Sequence, residues 1–252
     1  MLFNDKVVII TGAAAGIGRA TAQAFAAEGA KLVLGDIDNE KLTATVAEIQ
    51  ATGADVVGVH GNIANVTDAN ALVDRAKSQF GRLDVLVNNA GIVDRFLPVT
   101  EVTDEVWDRV LAVNLNGPMY TSRRAIPIMV ETGGGVIVNL TSAAGLGGGF
   151  AGVAYTASKH GVIGLTKNTA WMYAPRGIRC VGIAPGGVNT GITLGGEPSE
   201  FGYSRLGGQF ATMPRAGEPG ELADVIVFAA SDKASFLNGA IIAVDGAWLA
   251  GG

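Results

Sequence analysis

Residues 6–28 decide the fold and read Lys-Val-Val-Ile-Ile-Thr-Gly-Ala-Ala-Ala-Gly-Ile-Gly-Arg-Ala-Thr-Ala-Gln-Ala-Phe-Ala-Ala-Glu. The β-branched run at the start is typical of a strand buried on both faces, and an Ala-rich amphipathic helix follows from Arg19 to Glu28. Between them, Gly12 permits a tight turn, while Gly16 and Gly18 let a pyrophosphate and the next strand approach closely. Unpaired N–H groups at the helix start would bind that anion. Glycine spacing alone leaves a plain strand–helix turn as the alternative.

A second strand is predicted over residues 31–36, with Asp36 at its carboxyl end. An acid about 20 residues after such a turn can accept hydrogen bonds from adenosine ribose hydroxyls, and it repels a 2′-phosphate. Capping of the predicted helix 39–51 by Asp36 or Asp38 is the alternative role, and the two roles are compatible. The position of Asp36 favours ribose binding.

The rest of the chain alternates strands with helices and shows no tandem repeat or linker. This alternation predicts an α/β fold, a Rossmann-type doubly wound parallel sheet, in a single dinucleotide-binding catalytic domain spanning residues 1–252. Residues from about 191 to 214 carry glycines and a weak pattern, and they are predicted to form a mobile substrate lid. Further strands are predicted at 55–60, 83–87, 136–140, 178–184 and 240–244, and further helices at 66–80, 104–131, 155–173 and 218–231.

Composition narrows the function classes. The 252 residues are 48% hydrophobic and 16% charged, with a net charge of −5, which argues against nucleic acid and anionic membranes as partners. The start of the chain does not resemble a signal peptide, and the single Cys180 allows no internal disulfide, so a cytoplasmic location is expected. The uncharged stretches 132–158 and 180–196 are interpreted as walls of a cleft, because glycines and polar residues interrupt them.

Three polar residues suggest a catalytic site. Tyr155 and Lys159 are four residues apart, so a helix would place the phenol beside the ammonium. A nearby cation favours the phenolate and lowers a pKa that is ordinarily ~10, which suits proton exchange with an alcohol. Ser142 follows the strand 136–140, at the sheet edge where ligands bind. A half-buried tyrosine, a solvated lysine and a capping serine are the alternatives for these residues taken singly.

In combination, the motifs resemble the short-chain dehydrogenase/reductase family over residues 6–246. The matching motifs, in order, are Thr11-Gly-x-x-x-Gly-x-Gly18, Asn88-Asn-Ala-Gly91, Asn114, Ser142, Tyr155-x-x-x-Lys159 and Pro185-Gly-x-Val-x-Thr190. The resemblance implies that Tyr155 is the acid/base and that Ser142 polarises the substrate oxygen. It further implies that Lys159 lowers the Tyr155 pKa and binds the nicotinamide ribose, and that Asn114 holds a water linking Lys159 to solvent. Taken without the resemblance, Asn114 is a solvated or helix-packing amide.

The resemblance also implies a cofactor site for NAD(H) and no metal site. Asp36, without a basic residue at Ala15, matches the NAD(H)-preferring pattern, and Asn62 replaces an aspartate common in the family. Val188 and Thr190 would fix the carboxamide. Family members usually form homotetramers, so a homotetramer is expected. The implied cofactor-binding residues are Gly12, Ala14, Gly16, Ile17, Gly18, Asp36, Ile37, Asn62, Ile63, Asn89, Ala90, Gly91, Tyr155, Lys159, Pro185, Gly186, Val188 and Thr190.

The function that follows is NAD(H)-dependent hydride transfer between nicotinamide and a secondary alcohol or ketone. The segments expected around the substrate, 93–97, 143–150 and the lid, carry few charges and favour a neutral small molecule of modest size. A 3-oxoacyl-[acyl-carrier-protein] reductase of fatty-acid synthesis is the nearest alternative, although that activity usually goes with NADPH. A non-catalytic dinucleotide-binding sensor is the alternative from another class, but such a module would need only the glycine turn and Asp36.

Overall fold

A seven-stranded parallel sheet forms the centre of the molecule, in the order β3-β2-β1-β4-β5-β6-β7. The computed structural model describes residues 1–192 and 194–251. The sheet confirms the predicted doubly wound Rossmann-type α/β fold in one domain. The strands are β1 (Val7–Thr11), β2 (Lys31–Asp36), β3 (Val56–His60), β4 (Val85–Asn88), β5 (Gly135–Leu140), β6 (Ile178–Pro185) and β7 (Ile241–Val244).

Eight α-helices accompany the strands within the described residues. They are α1 (Gly16–Ala27), α2 (Asn39–Gln50), α3 (Val66–Phe80), α4 (Asp104–Leu111), α5 (Gly117–Glu131), α6 (Val153–Tyr173), α7 (Glu200–Ala211) and α8 (Pro219–Ala230). The uninterrupted helix predicted over 104–131 is divided by a π-helical turn, Ala112–Asn116. The segment 191–214, predicted as a mobile substrate lid with no helix assigned to it, contains α7. Thr193 of this segment lies outside the described residues.

The β-branched run of β1 is buried on both faces, as predicted. Val8 and Ile10 belong to one hydrophobic core, while Val7 and Ile9 belong to a second core on the opposite face of the sheet. Alternate side chains of a strand point to opposite faces, so one uninterrupted apolar run serves both cores. Cys180 lies in the second core, where burial raises the pKa of its thiol to about 12 and leaves it a small core residue.

The chain order reverses beside β1, which pairs with β2 on one side and β4 on the other. In open parallel sheets a crevice forms past the carboxyl ends of the strands at such a reversal. The glycine turn after β1 and the segments that follow β4, β5 and β6 therefore meet there. Across the described ranges, none of the helices combines the length and apolar character that spanning a membrane requires.

Candidate active site

A cleft of about 640 Å³ opens at the carboxyl ends of the strands. Seventeen of the residues implied for the cofactor line it; Gly18 is not among its lining residues. A Cβ on Gly18 would lie 2.0 Å from the Gly12 carbonyl oxygen, so this glycine allows helix α1 to pack against the turn behind the cleft. The lining residues are Gly12, Ala14, Gly16, Ile17, Asp36, Ile37, Asn62, Ile63, Asn89, Ala90, Gly91, Tyr155, Lys159, Pro185, Gly186, Val188 and Thr190.

The glycine turn is held by the segment that follows β4. The Thr11 hydroxyl accepts hydrogen bonds from the backbone N–H groups of Asn89 and Ala90, both at 3.0 Å. In return, the Asn89 amide donates to the carbonyl oxygens of Thr11 and Gly12 at 2.9 and 3.0 Å. Gly12 has φ +66°, a left-handed conformation that favours glycine. These bonds fix the turn, and Thr11 was not predicted to have this role.

Asp36 shapes the end of the cleft beyond β2. Its two carboxylate oxygens accept hydrogen bonds from the backbone N–H groups of Ala14 and Asp38, both at 2.9 Å. Asp38, not Asp36, caps helix α2, because its side chain accepts from the Lys41 N–H at 3.1 Å. The Lys41 ammonium lies 2.7 Å from the Asp38 carboxylate, in an exposed ion pair. Asp36 thus lines the cleft and ties two turns together.

Helix α6 brings the ammonium of Lys159 to the wall of the cleft beside Tyr155. The ammonium lies 5.5 Å from the centre of the Tyr155 ring and donates a 2.8 Å hydrogen bond to the Leu140 carbonyl oxygen. Only 3% of Lys159 is exposed, and this burial lowers its pKa to about 8. The prediction that helical spacing places the two side chains together is therefore correct, whereas Lys159 is buried and not solvated.

The pKa of Tyr155 moves in the direction opposite to the prediction. Burial of the phenol raises this pKa above its ordinary value, the neighbouring Ser142 hydroxyl opposes the rise, and the Asp94 carboxylate adds to it. The expected net lowering of the Tyr155 pKa is not found, because the free energy lost when a phenolate leaves water exceeds the stabilisation that the neighbouring groups provide. Ser142 lines the same wall, with its oxygen accepting a hydrogen bond from the Ala144 N–H at 3.1 Å.

Asn114 lies in the π-helical turn and is 1% exposed. Its amide accepts from the Ile92 N–H and donates to the Ile92 carbonyl oxygen, both at 2.9 Å, and it donates to the Ser158 hydroxyl at 3.1 Å. It is therefore a packing amide that ties the segment after β4 to α6. A Cβ on Gly91 would lie 3.4 Å from the Asn114 side-chain oxygen and 3.6 Å from the Lys159 nitrogen. The water expected between Asn114 and Lys159 stays a prediction.

The half of the cleft beyond Tyr155 is apolar and partly aromatic. Phe150 meets the Trp248 ring edge-on with centroids 4.8 Å apart, and Phe210 lies 6.1 Å from Trp248. The Trp248 N–H donates to the Gln209 carbonyl oxygen at 2.9 Å, so its polar atom is satisfied. Trp248 follows the last strand and was not predicted to belong to the site. The apolar side chains of this half are Val93, Phe96, Phe150, Ile192, Phe210, Met213 and Trp248.

Two glycines line the cleft where a dinucleotide would have to fit. A Cβ on Gly16 would lie 3.2 Å from the Thr190 side chain, and a Cβ on Gly91 would fill the space beside Lys159. Side chains at either position would therefore narrow the cleft between Asp36 and Tyr155. An acceptor at one end, backbone turns in the middle and proton-exchanging groups at the other end suit a ribose, a pyrophosphate and a reactive ring. Within the described part of the chain, no group of three or more His, Cys, Asp or Glu side chains could hold a metal ion.

Comparison with known proteins agrees with this geometry. A family model described as Enoyl-(Acyl carrier protein) reductase matches residues 12–248. The 3beta-hydroxysteroid dehydrogenase 2 of Eggerthella lenta is 44% identical over 247 residues, covering 97% of this chain and 95% of that protein. The cyclohexanol dehydrogenase of an Acinetobacter species is 40% identical over 246 residues, covering 98% and 96%. The 3-oxoacyl-[acyl-carrier-protein] reductase of Thermotoga maritima is 40% identical over 248 residues, covering 98% of each.

Among solved structures, the crystal structure of levodione reductase superposes with a TM-score of 0.90 and 36% sequence identity, covering 99% of this chain and 100% of that one. The chain belongs to the short-chain dehydrogenase/reductase family. Members of this family are oxidoreductases that bind nicotinamide dinucleotides.

Proposed function

We propose that the protein is an NAD(H)-dependent oxidoreductase that interconverts a secondary alcohol and its ketone, with Tyr155 as the acid/base. The observation that carries the proposal is the position of three groups in one cleft. Tyr155, Ser142 and the buried Lys159 line the end opposite Asp36. A dinucleotide sensor would need only the glycine turn and Asp36, and it would have no use for a buried ammonium beside a phenol.

Each polar group has a distinct task in ketone reduction. Tyr155 donates its phenolic proton to the carbonyl oxygen as negative charge develops there, and Ser142 donates a second hydrogen bond to the same oxygen. The positive charge of Lys159 stabilises the phenolate that remains. When bound, the nicotinamide supplies or accepts the hydride. Because burial raises the pKa of Tyr155, its phenol is protonated at neutral pH, which favours reduction there and oxidation at higher pH.

The choice of NAD(H) rests on Asp36. Its carboxylate lines the cleft and would repel a 2′-phosphate, and the nearby Lys41 is engaged by Asp38. We expect tighter binding of NADH than of NADPH, measured by fluorescence titration. Asp36→Asn keeps the size and one acceptor oxygen, so it should shift the ratio of the two dissociation constants toward NADPH by roughly tenfold, about 1.4 kcal/mol. Asp55→Asn removes an exposed carboxylate that does not line the cleft and should leave the ratio as in the wild type. Tighter NADPH binding by the wild type would overturn the assignment.

The substrate is proposed to be an uncharged alcohol or ketone with an alicyclic ring. The described lining of the cleft includes seven apolar side chains besides the cofactor-binding set, those of Val93, Phe96, Phe150, Ile192, Phe210, Met213 and Trp248, together with the hydroxyl of Ser142. A flat or puckered ring can bury its faces against Phe150 and Trp248, whereas a carboxylate or phosphate would lose its solvation without a partner. The names of the hydroxysteroid, cyclohexanol and levodione relatives support the same class of substrate.

The decisive experiment is a kinetic panel with both cofactors. Cyclohexanone and larger alicyclic ketones should be reduced with NADH, and acetoacetyl thioesters should be poor substrates. Turnover confined to acyl thioesters would favour the reductase of fatty-acid synthesis, which one relative's name also suggests. Tyr155→Phe should bind NADH normally and lower kcat by roughly 10²–10⁴-fold. If this variant binds NADH and still turns over like the wild type, the acid/base assignment fails.

The lid is a proposal as well. The segment 191–214 would close over a substrate, and the positions of Ile192, Phe210 and Met213 in the cleft lining support this. A cytoplasmic location and a homotetrameric assembly stay predictions from the sequence.

A further inference from the structure

A buried carboxylate caps the helix that carries Tyr155. Asp94 lies in the loop after β4 and is 1% exposed. Its two oxygens accept hydrogen bonds from the Gly152 N–H at 3.2 Å and the Tyr155 N–H at 2.9 Å. Helix α6 begins at Val153, and the preceding Gly152 has no side chain with which to cap it. Asp94 therefore satisfies free N–H groups at this helix start from a distant part of the chain.

The loop around Asp94 is built to hold this contact. Arg95 and Phe96 both have φ +58°, a left-handed conformation that non-glycine residues rarely adopt. Such conformations persist where surrounding contacts enforce them. Here the Leu97 N–H donates to the Asp94 carbonyl oxygen at 3.2 Å, and the Val153 N–H donates to the Leu97 carbonyl oxygen at 2.9 Å. The loop is thus joined to the first turn of α6 by backbone bonds as well as by the carboxylate.

Gly152 shows how closely the loop and the helix approach. A Cβ at this position would lie 2.5 Å from an Asp94 carboxylate oxygen and 2.5 Å from the Leu97 nitrogen. Any other residue would displace the carboxylate or the loop. The contact is therefore close-packed, so a shift of Asp94 would also shift Tyr155, which lies three residues further along the helix.

We propose that Asp94 is a positioning residue, whose carboxylate fixes the first turn of α6 and so sets the place of the Tyr155 phenol relative to Ser142 and Lys159. This inference rests on the acid/base role proposed for Tyr155. A carboxylate suits the task better than an amide, because it offers two acceptor oxygens to two N–H groups and a negative charge to a helix N-terminus.

Asp94 also acts on the phenol through its charge. The groups that face Tyr155 are the ammonium of Lys159 from its own helix, the hydroxyl of Ser142 after β5 and the carboxylate of Asp94 from the loop after β4. The carboxylate disfavours the phenolate and raises the pKa of Tyr155, in addition to the larger effect of burial. Removing the charge of Asp94 should therefore lower the pKa of Tyr155. The same change also weakens the hydrogen bonds that hold the first turn of α6.

Asp94→Asn separates these two effects. It keeps one acceptor oxygen and removes the charge, so we expect kcat to fall about tenfold while the dissociation constant of NADH changes less than about twofold. The rate of alcohol oxidation rises as Tyr155 loses its proton, so the midpoint of its pH profile should move to lower pH. Asp94→Ser, a second uncharged cap, should shift the midpoint in the same direction and provides a test if the asparagine variant does not fold.

Asp84→Asn is the matched control. Asp84 is likewise a buried carboxylate, 7% exposed, and it accepts a 2.9 Å hydrogen bond from the Val7 N–H at the start of β1, at the amino ends of the strands and outside the cleft. This variant should lower the melting temperature without moving the pH midpoint. If the Asp94 variants lower only the melting temperature, with kcat and midpoint as in the wild type, the positioning role is wrong. Wild-type turnover by Tyr155→Phe would instead refute the proposed function itself.

Discussion

Lys159 is a buried cation whose hydrogen bond goes to a neutral group. Its ammonium donates to the Leu140 carbonyl oxygen, and only 3% of the residue is exposed. The hydrogen bond to a carbonyl oxygen replaces only part of the hydration free energy that the ammonium loses on folding. The uncompensated part lowers the pKa of Lys159 to about 8. The folded protein therefore carries a cost in stability at neutral pH, which we attribute to the need for a cation beside Tyr155.

The lowered pKa of Lys159 predicts how the stability of the protein changes with pH. The pKa of Lys159 is about 8 in the folded protein against 10.5 for a lysine side chain in water, so the unfolded chain binds the proton more tightly. Below pH 8 both states are protonated and the folded state bears the full cost. Stability relative to Lys159→Met should therefore rise by about 3 kcal/mol between pH 8 and 10.5. Urea unfolding of both proteins across this range measures the difference. Lys167→Met, at an exposed position on the same helix, is the control, and parallel curves for Lys159→Met and the wild type would contradict the prediction.

Much of the candidate site could be predicted from residue spacing, because helical periodicity and the strand ends determine which side chains share a cleft. Tyr155, Lys159 and Ser142 were placed together in this way. The direction of the Tyr155 pKa could not be predicted, since it depends on burial, which spacing does not report. No role was predicted for Asp94, because its contact with α6 joins residues some 60 positions apart.

Among the secondary-structure elements, β4, β5 and α6 are joined by a buried polar network. The Asn88 amide donates to the Asn139 side-chain oxygen at 2.8 Å, and the Asn139 amide donates to the Thr166 hydroxyl at 2.9 Å. All three residues are at most 2% exposed. Buried polar side chains hold their elements in register when every partner is satisfied, and they destabilise the fold when one is missing.

A double-mutant cycle tests this network. Asn139→Leu removes the acceptor of the shorter Asn88 amide bond and the donor to the Thr166 hydroxyl, leaving the Asn88 bond to Ser122 at 3.3 Å and the Thr166 bond to the Val162 carbonyl oxygen. It should therefore destabilise the protein by about 1–3 kcal/mol. Thr166→Val alone leaves the Asn139 amide only its 3.5 Å contact with the Cys180 sulfur and should cost about 1–2 kcal/mol. In the Asn139→Leu background, the same change removes no remaining side-chain partner and should cost clearly less. Urea unfolding measures each free energy, and strictly additive losses would show that the three side chains do not act as a network.

Two elements were missed for different physical reasons. Helix α7 contains three glycines, which have low helix propensity, although the hydroxyl of Ser199 caps its start by accepting from the Gly202 N–H at 2.9 Å. The π-helical turn at 112–116 lies within a continuous helical pattern, and no glycine or proline among its five residues signals a change of helix type. In this turn Asn114 bonds to Ile92 in the segment after β4.

For the molecule as a whole, the substrate half of the cleft is completed by the segment that follows β7. Trp248 follows the last strand, yet it contacts Phe150 from the segment after β5 and Phe210 from α7. The residue is 7% exposed, and its N–H donates to the Gln209 carbonyl oxygen. Three distant parts of the sequence thus form one aromatic wall. No local sequence pattern predicts such a wall, because it depends on where the fold places the segment after β7.

Trp248→Ala should therefore change substrate use while leaving the dinucleotide end of the cleft intact. Removing the indole enlarges the apolar half and takes away contact area that a ring-shaped substrate would bury. We expect kcat/KM for alicyclic ketones to fall by about 10–100-fold, about 1.4–3 kcal/mol, through KM more than kcat, with the NADH dissociation constant unchanged. Trp171→Ala makes the same chemical change at a position that is 83% exposed and should keep wild-type kinetics. Equal losses in both variants, or weaker NADH binding in Trp248→Ala alone, would mean that the indole supports the fold and does not select the substrate.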